Sequence, residues 1–218
     1  MSSAARFAFN PKRSHELALI QIGRYLSGTR GRGLKLKPLA RDHLHLEVYV
    51  DSDFMGLYGK EKRDNPDNVK SRAGHVMLLN GCPIIWSSKL MQTVCLSTMM
   101  AEYYALSAAM KEALPLLEVM KAVSTGFGID QDQLTEFRVT VWEDNMGALT
   151  LAQHEPGQHT IRSKFYDVRV HWFREKLHAP GSKMSVRKVA SEKQLSDILT
   201  KPLTKVPFER LRKELMGW

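Results

Sequence analysis

Between Leu44 and Phe54 the chain reads LHLEVYVDSDF. Leu44, Leu46, Val48 and Val50 alternate with His45, Glu47, Tyr49 and Asp51. A strict period of two in residues that suit a pleated surface predicts a β-strand with one apolar face. The strand stops on two acids, Asp51 and Asp53. A carboxylate at the end of an apolar strand is held by the sheet and stays open to solvent, which suits it to gripping a metal ion. A strand that simply exits into a polar loop leaves the same trace, so the other segments must decide.

Upstream, the apolar spacing from Ser14 to Tyr25 predicts a helix ended by Gly28, after an unpatterned start over residues 1–12. Arg24, Arg30, Arg32, Lys35, Lys37 and Arg41 follow with no acid between Glu16 and Asp42. This stretch reads either as a phosphate-contacting segment or as a solvated linker. Downstream, residues 55–72 read as a polar loop. His75 to Leu79 and Pro83 to Ser88 read as strands joined by Asn80-Gly81-Cys82, a hairpin signal. A long helix is predicted from Thr98 to Val123, with Ser97 and Thr98 as N-caps. Its stripe is Leu106, Ala109, Met110, Ala113, Leu117 and Met120, and Pro115 is expected to bend or break it. Arg138 to Trp142 is a fourth strand running into Glu143-Asp144, and Asn145 to Gln153 a short helix. A helix over Ser163 to Leu177 and a strand over Lys183 to Val189 come next. A capping box at Ser191-Glu192-Lys193-Gln194 then opens a helix to Thr200. Residues 207–216 close as a basic amphipathic helix. The order predicts an α/β fold, a mixed sheet with an antiparallel edge flanked by helices.

The 218 residues carry a formal charge of +9, which favours an anionic partner, nucleic acid before acidic membrane. The longest apolar run, Val76 to Trp86, is broken by Asn80, Gly81 and Pro83, too short to span a bilayer. Cys82 and Cys95 form no CxxC and read as buried thiols in a reducing compartment.

Four acids fall at comparable structural points: Asp51 ending the first strand, Glu102 early in the long helix, Asp144 ending the fourth strand, and Asp197 in the helix after the last strand. If the first and fourth strands are parallel neighbours, Asp51 and Asp144 lie side by side, and packed helices can add the other two. Four carboxylates in one place repel unless cations resolve the charge. A magnesium pair about 3.5–4 Å apart is the usual resolution and suits in-line attack of water on phosphate. Read singly, each acid is an ordinary solvated group, and Asp197 an ordinary first-turn helix acid.

The segments VYVDSDF (48–54), KSRAGHVMLLNGCPIIWSSKLMQTVCLSTMMAEYYALS (70–107), VWEDNMGALTLA (141–152), RSKFYDVRVHWFREKL (162–177) and QLSDILTKPL (194–203) together resemble the ribonuclease H domain of copia-type LTR retrotransposon Pol polyproteins. HELALIQIGRYLSGTRGRGLKLKP (15–38) is similar to the reverse-transcriptase tail that precedes that domain. The resemblance covers residues 13–218. It implies a ribonuclease H-like mixed five-stranded sheet, three antiparallel strands then parallel ones, with helices on its faces. It also implies a division into residues 1–42 (helix and basic linker), 43–203 (ribonuclease H-like domain) and 204–218 (basic helix). The implied activity is Mg²⁺-dependent cleavage of the RNA strand of RNA–DNA hybrids, with two ions and Mn²⁺ as a substitute. Asp51, Glu102, Asp144 and Asp197 are then the catalytic metal ligands. The implied partners are the hybrid and the upstream reverse-transcriptase domain, with no membrane. The implied location is a cytoplasmic retrotransposon particle with nuclear access.

Ser97, Thr98 and Asn145 are candidates to read the RNA 2′-OH, with capping as their alternative role. Lys89, Arg162, Lys164, Arg169 and Arg174 are candidate phosphate contacts. His171 reads as a packed or surface histidine rather than a proton shuttle, and Asp53 as a hydrogen-bonding loop acid or a member of an outer metal shell. The chain departs from the family pattern at Met100, where a second acid is common, at Lys164-Phe165-Tyr166, where Lys-His-Ile is usual, and at Ser196, usually Ala. An inactive nucleic-acid-binding remnant is the alternative function. An integrase-like nuclease is disfavoured by the fourth acid. Tyr49-Val50-Asp51-Ser52-Asp53 is only superficially similar to a polymerase turn, because its acids are not adjacent.

Overall fold

The computed structural model describes residues 5, 7–41, 43–59, 65–127, 137–161, 163–166 and 168–218. The strands are β1 (His45–Asp53), β2 (Arg72–Leu79), β3 (Cys82–Leu90), β4 (Arg138–Glu143) and β5 (Met184–Lys188). The helices are α1 (Arg13–Thr29), α2 (Thr98–Gly126), α3 (Met146–Gln153), α4 (Phe173–Leu177), α5 (Asp197–Thr200) and α6 (Lys205–Met216). The five strands form one sheet in the order β3-β2-β1-β4-β5. The β3-β2-β1 pairs are antiparallel, while β1-β4 and β4-β5 are parallel. This is the ribonuclease H-like mixed sheet that the sequence leads one to expect.

The alternation in β1 sorts its side chains into two layers. Leu46, Val48 and Val50 are fully buried and pack with Leu106, Met110 and Ala113 of α2, Leu151 of α3 and Phe173 of α4. Tyr49 packs on the other layer with Val76, Ile198, Leu199 and Leu211, from β2, α5 and α6. The sheet is therefore covered on both sides, and Asp51, in phase with Tyr49, leaves β1 on the side of α5. Cys82 and Cys95 are buried and unpaired.

Several elements depart from expectation for local reasons. The hairpin turn is two residues, not three: Asn80 and Gly81 both have positive φ (46° and 81°), as a type I′ turn requires, and Cys82 already belongs to β3. Pro115 does not break α2, which runs unbroken through it. It lies on the exposed face, where water can satisfy the Lys111 carbonyl that has lost its donor, while Ala113 and Leu117 hold the other face in the core. The predicted helix over 163–177 is reduced to a 3₁₀ turn at Val168–Val170 and the short α4. Ser163 is engaged instead with Thr160, whose backbone N–H it accepts at 2.9 Å, a local closure that competes with helix. The expected capping box does not form. Residues 191–193 make a 3₁₀ turn, and the helix begins only at Asp197, because Gln194 turns into the sheet. α1 extends through Gly28 to Thr29 and buries none of its residues. Of the expected polar loop at 55–72, residues 60–64 lie outside the described ones. Among the described residues no helix is long and apolar enough to cross a membrane.

Candidate metal centre

β1 and β4 run in parallel with Val48 opposite Val141 and Tyr49 opposite Trp142. Continuing that register two residues brings Asp51 beside Asp144, just past the end of β4. Glu102 is the fifth residue of α2, a helix opened by Ser97, whose hydroxyl accepts the Met100 N–H at 3.1 Å. With Ala101, Ala105 and Leu106 buried against the sheet, Glu102 is carried to the same end. Asp51, Glu102 and Asp144 each present a carboxylate oxygen, all within 4.8 Å of one another. Asp51 is fully buried, Glu102 is 7 % exposed and Asp144 half-buried.

The charge in this cluster is poorly compensated by protein groups. Glu102 Oε2 is buried and has no hydrogen-bond partner. Burial, then the repulsion of Glu143, Asp51 and Asp144, pushes the Glu102 carboxyl up to about 10. Burial pushes Asp51 up to about 6 against the opposing pull of the Lys201 ammonium and the Thr200 hydroxyl. Glu143 is raised to about 8, again chiefly by burial, although its Oε1 accepts the Asn145 N–H at 3.0 Å. A cation among these oxygens would relieve both the repulsion and the orphaned Glu102 oxygen, and all-oxygen donors suit Mg²⁺ or Mn²⁺. The residues present thus fit a divalent ion.

A pH dependence follows. Unfolded carboxyls titrate near about 4. Between that value and the raised native values, the native state holds more protons than the unfolded one, so stability falls as pH rises. The metal-free protein should lose thermal stability progressively between about pH 4 and about pH 10, the contributions of Asp51, Glu143 and Glu102 levelling off in turn as each ionises near its raised native value. Saturating Mg²⁺ should flatten the slope. Melting curves in chelator and in Mg²⁺ test this, and a melting temperature that rises with pH in chelator would contradict it.

Asp51 is met from the other side by α5. Thr200 Oγ1 donates to Asp51 Oδ2, and Lys201 Nζ lies 3.0 Å from Asp51 Oδ1 and 2.7 Å from Asp197 Oδ1. α5 reaches this depth because a glycine, Gly74, sits opposite Asp51 on β2. A Cβ there would come within 2.5 Å of Thr200 Cγ2. Next across the sheet is Ser88, whose hydroxyl donates to the Leu199 carbonyl at 2.6 Å. Gln194 Nε2 donates to the Val50 carbonyl at 2.8 Å, and Ser196 Oγ donates to Gln194 Oε1 at 2.8 Å, all of it buried. Ser196, where the resemblance leads one to expect Ala, is accommodated by that bond.

Three of the four predicted acids meet directly, and Asp197 stands outside the trio, tied to Asp51 through Lys201. Ser97 and Asn145 serve as helix N-caps, Asn145 accepting the Ala148 N–H at 3.0 Å, while Thr98 is exposed at the start of α2. Lys89 stands at the same end of the sheet as the acids, since its partner Ala73 is opposite Ser52; its side chain is on the α2 face, exposed, with Nζ 3.4 Å from Glu112. Arg174 is a correction. It is 1 % exposed and its Nη1 donates to the carbonyls of Leu151 and Gln158, so it braces the end of α3 and cannot reach a phosphate. Lys164 and Arg169 are exposed, Lys164 over the Phe165 ring at 5.0 Å, and Arg162 lies outside the described residues. His171 is buried, with Nδ1 2.9 Å from the Tyr103 hydroxyl, so of the two expected places, packed or surface, it takes the packed one. Asp53, the last residue of β1, is half-buried, with its carboxylate over the Gly56 turn and outside the trio.

The sequence reading missed Glu143, Thr200, Lys201, Gly74 and Gln194. Glu143 was the one with a signal. Val139, Val141 and Glu143 alternate onto the buried face of β4, which puts a carboxylate at the end of a core row. The others act across strands or between a strand and a distant helix, and no spacing in the chain announces them.

No family model matches the chain. It is 33% identical over 213 residues to the retrovirus-related Pol polyprotein from transposon TNT 1-94 of Nicotiana tabacum, covering 98% of this chain and 14% of that protein. To the Pol polyprotein from transposon RE1 of Arabidopsis thaliana it is 30% identical over 211 residues, covering 97% and 13%. The chain thus spans about a seventh of the polyproteins it matches. Among solved structures it is similar to LC11-RNase H1, isolated from compost by a metagenomic approach. That similarity has a TM-score of 0.43 and 16% identity, covering 73% of this chain and 93% of that one.

Proposed function

Because the chain belongs to the copia-type retrotransposon Pol polyproteins and has a ribonuclease H-like sheet, we propose that it cleaves the RNA strand of RNA–DNA hybrids as a metal-dependent endoribonuclease. The observation that carries this reading is the meeting of Asp51, Glu102 and Asp144 from three separate elements, with a buried, partnerless oxygen on Glu102. These three would hold Mg²⁺, with Asp197 on α5 as the outlying fourth ligand of a two-ion centre. A divalent ion bound there supplies Lewis-acid activation of water and charge neutralisation at the phosphate.

The chain's own groups would do the positioning. The rigid register of β1 and β4 fixes Asp51 against Asp144, and α2 brings Glu102 in from the opposite wall. Thr98 is exposed at the start of α2, where a helix N-terminus favours an anion. Together with Ser97 and Asn145 it would read the 2′-OH of the RNA strand in the shallow minor groove. Lys164 and Arg162 would contact phosphates. In the polyprotein the upstream reverse transcriptase would share the grip on the hybrid, within a cytoplasmic particle.

The test is cleavage of an end-labelled hybrid with Mg²⁺ and with chelator. The expected outcome is cutting of the RNA strand alone, abolished by chelator, and raised when the reverse-transcriptase domain is supplied. Cutting that persists in chelator would sink the metal-dependent reading. Tight hybrid binding without cutting at any metal concentration would instead make the chain a non-catalytic nucleic-acid-binding relative.

A further inference from the structure

The two oxygens of Asp51 are both occupied, and by the same short helix end: Oδ2 by the Thr200 hydroxyl and Oδ1 by the Lys201 ammonium at 3.0 Å. The same ammonium lies 2.7 Å from Asp197 Oδ1, one turn earlier on α5. Lys201 therefore bridges the pair of acids that joins Asp197 to the trio. The other side of the cluster, where Asp51 faces Glu102 and Asp144, has no cationic side chain in contact among the described ion pairs, and there Glu102 Oε2 is without a partner. Half of the acidic cluster is thus neutralised from within the chain, and half is not.

We infer that Lys201 is a built-in counter-cation for the Asp51–Asp197 half of the centre, one that a second divalent ion must displace. This inference rests on the reading of the acids as a metal centre and deepens it. Binding divides into two unequal steps. The first ion enters between Asp51, Glu102 and Asp144 and leaves the Lys201 bridge intact. The second needs Asp51 and Asp197 together, and it must break two charge-assisted contacts of 3.0 and 2.7 Å. The displaced side chain has somewhere to go. Lys201 is 36% exposed on a flexible four-carbon stem, so the ammonium can swing out to solvent or toward an incoming phosphate. Thr200, by contrast, is buried and holds α5 in place throughout. Lys201 is in this sense a positioning residue that sets metal occupancy, and the second ion would enter with the substrate phosphate or at high metal concentration.

The experiment is Mn²⁺ binding to the full chain, followed by electron paramagnetic resonance and calorimetry, for the parent, Lys201→Met and Lys201→Arg. The parent should bind one ion tightly and a second at least about tenfold more weakly. Lys201→Met should tighten the second site about tenfold or more, since it removes a unit charge in contact with both carboxylates. Lys201→Arg should keep the parent's split. In the unsubstituted protein, a protected lysine ammonium signal in ¹H–¹⁵N spectra should survive the first equivalent of Mg²⁺ and vanish with the second. A second-site affinity unchanged or weakened in Lys201→Met, or an ammonium signal lost with the first equivalent, overturns the role of Lys201 and leaves the metal centre standing. No Mn²⁺ bound by any of the three proteins overturns the metal centre and this inference with it.

Discussion

Asp51→Asn should abolish the proposed cleavage of RNA–DNA hybrids while leaving the chain folded. Asn keeps the shape of Asp and can still accept from Thr200, so the seat of α5 on β1 survives. The charge at the centre of the cluster goes. Asp51 is the one acid in contact with both halves, belonging to the trio with Glu102 and Asp144 and paired to Asp197 through Lys201. Losing a preorganised charge of this kind typically lowers a rate on the order of 10²–10³-fold, and more where an ion is lost with it. The same substitution removes a buried carboxylate held up near about 6 by burial, so the metal-free variant should melt no lower than its parent, and the rise in melting temperature with Mg²⁺ should shrink. Cleavage of labelled hybrid and melting curves with and without Mg²⁺ measure both. A variant that cuts within about tenfold of the parent, in the sense of that rate scale, would remove Asp51 from the reaction.

Gly74→Ala should be nearly as damaging, although Gly74 carries no chemistry. Its missing side chain is the space into which Thr200 and Leu199 descend: a Cβ would sit 2.5 Å from Thr200 Cγ2 and 3.1 Å from Leu199 Cβ. α5 has little freedom to yield. The Ser88 hydroxyl holds the Leu199 carbonyl, and Leu199 packs in the second core cluster. Forcing a methyl into such a contact costs about 1–3 kcal/mol. The displacement falls on Thr200 and so on Lys201 and Asp197, and a shift of about 1 Å in a positioned group can cost about 10²-fold in rate. Urea denaturation and the cleavage assay should therefore move together. Parent-like stability with full activity would mean that α5 can sit higher without consequence.

Most of the scaffold was legible because it depends on local pattern. The period-two rows of β1 and β4, the Asn80-Gly81 turn and the stripe Leu106, Ala109, Met110, Ala113, Leu117 each state their partner face directly. Errors arose where a side chain chose a distant partner over a local one. Gln194, placed in a capping box by its neighbours, holds the Val50 carbonyl across the domain. Arg174, read as a candidate phosphate contact, is buried against the end of α3.

The amino-acid order alone determined which acids stand at the ends of elements, because alternation and helical spacing fix where a strand or stripe stops, and it identified the family from the words around them. It could not determine how the charge among those acids is shared. That was decided only in three dimensions. The absence of a side chain at Gly74 lets α5 settle on the sheet, and the settling carries the Lys201 ammonium into contact with Asp51, 150 residues earlier in the chain. Electrostatic balance in a buried cluster depends on distances of a few ångströms between remote segments, and such distances are a property of packing.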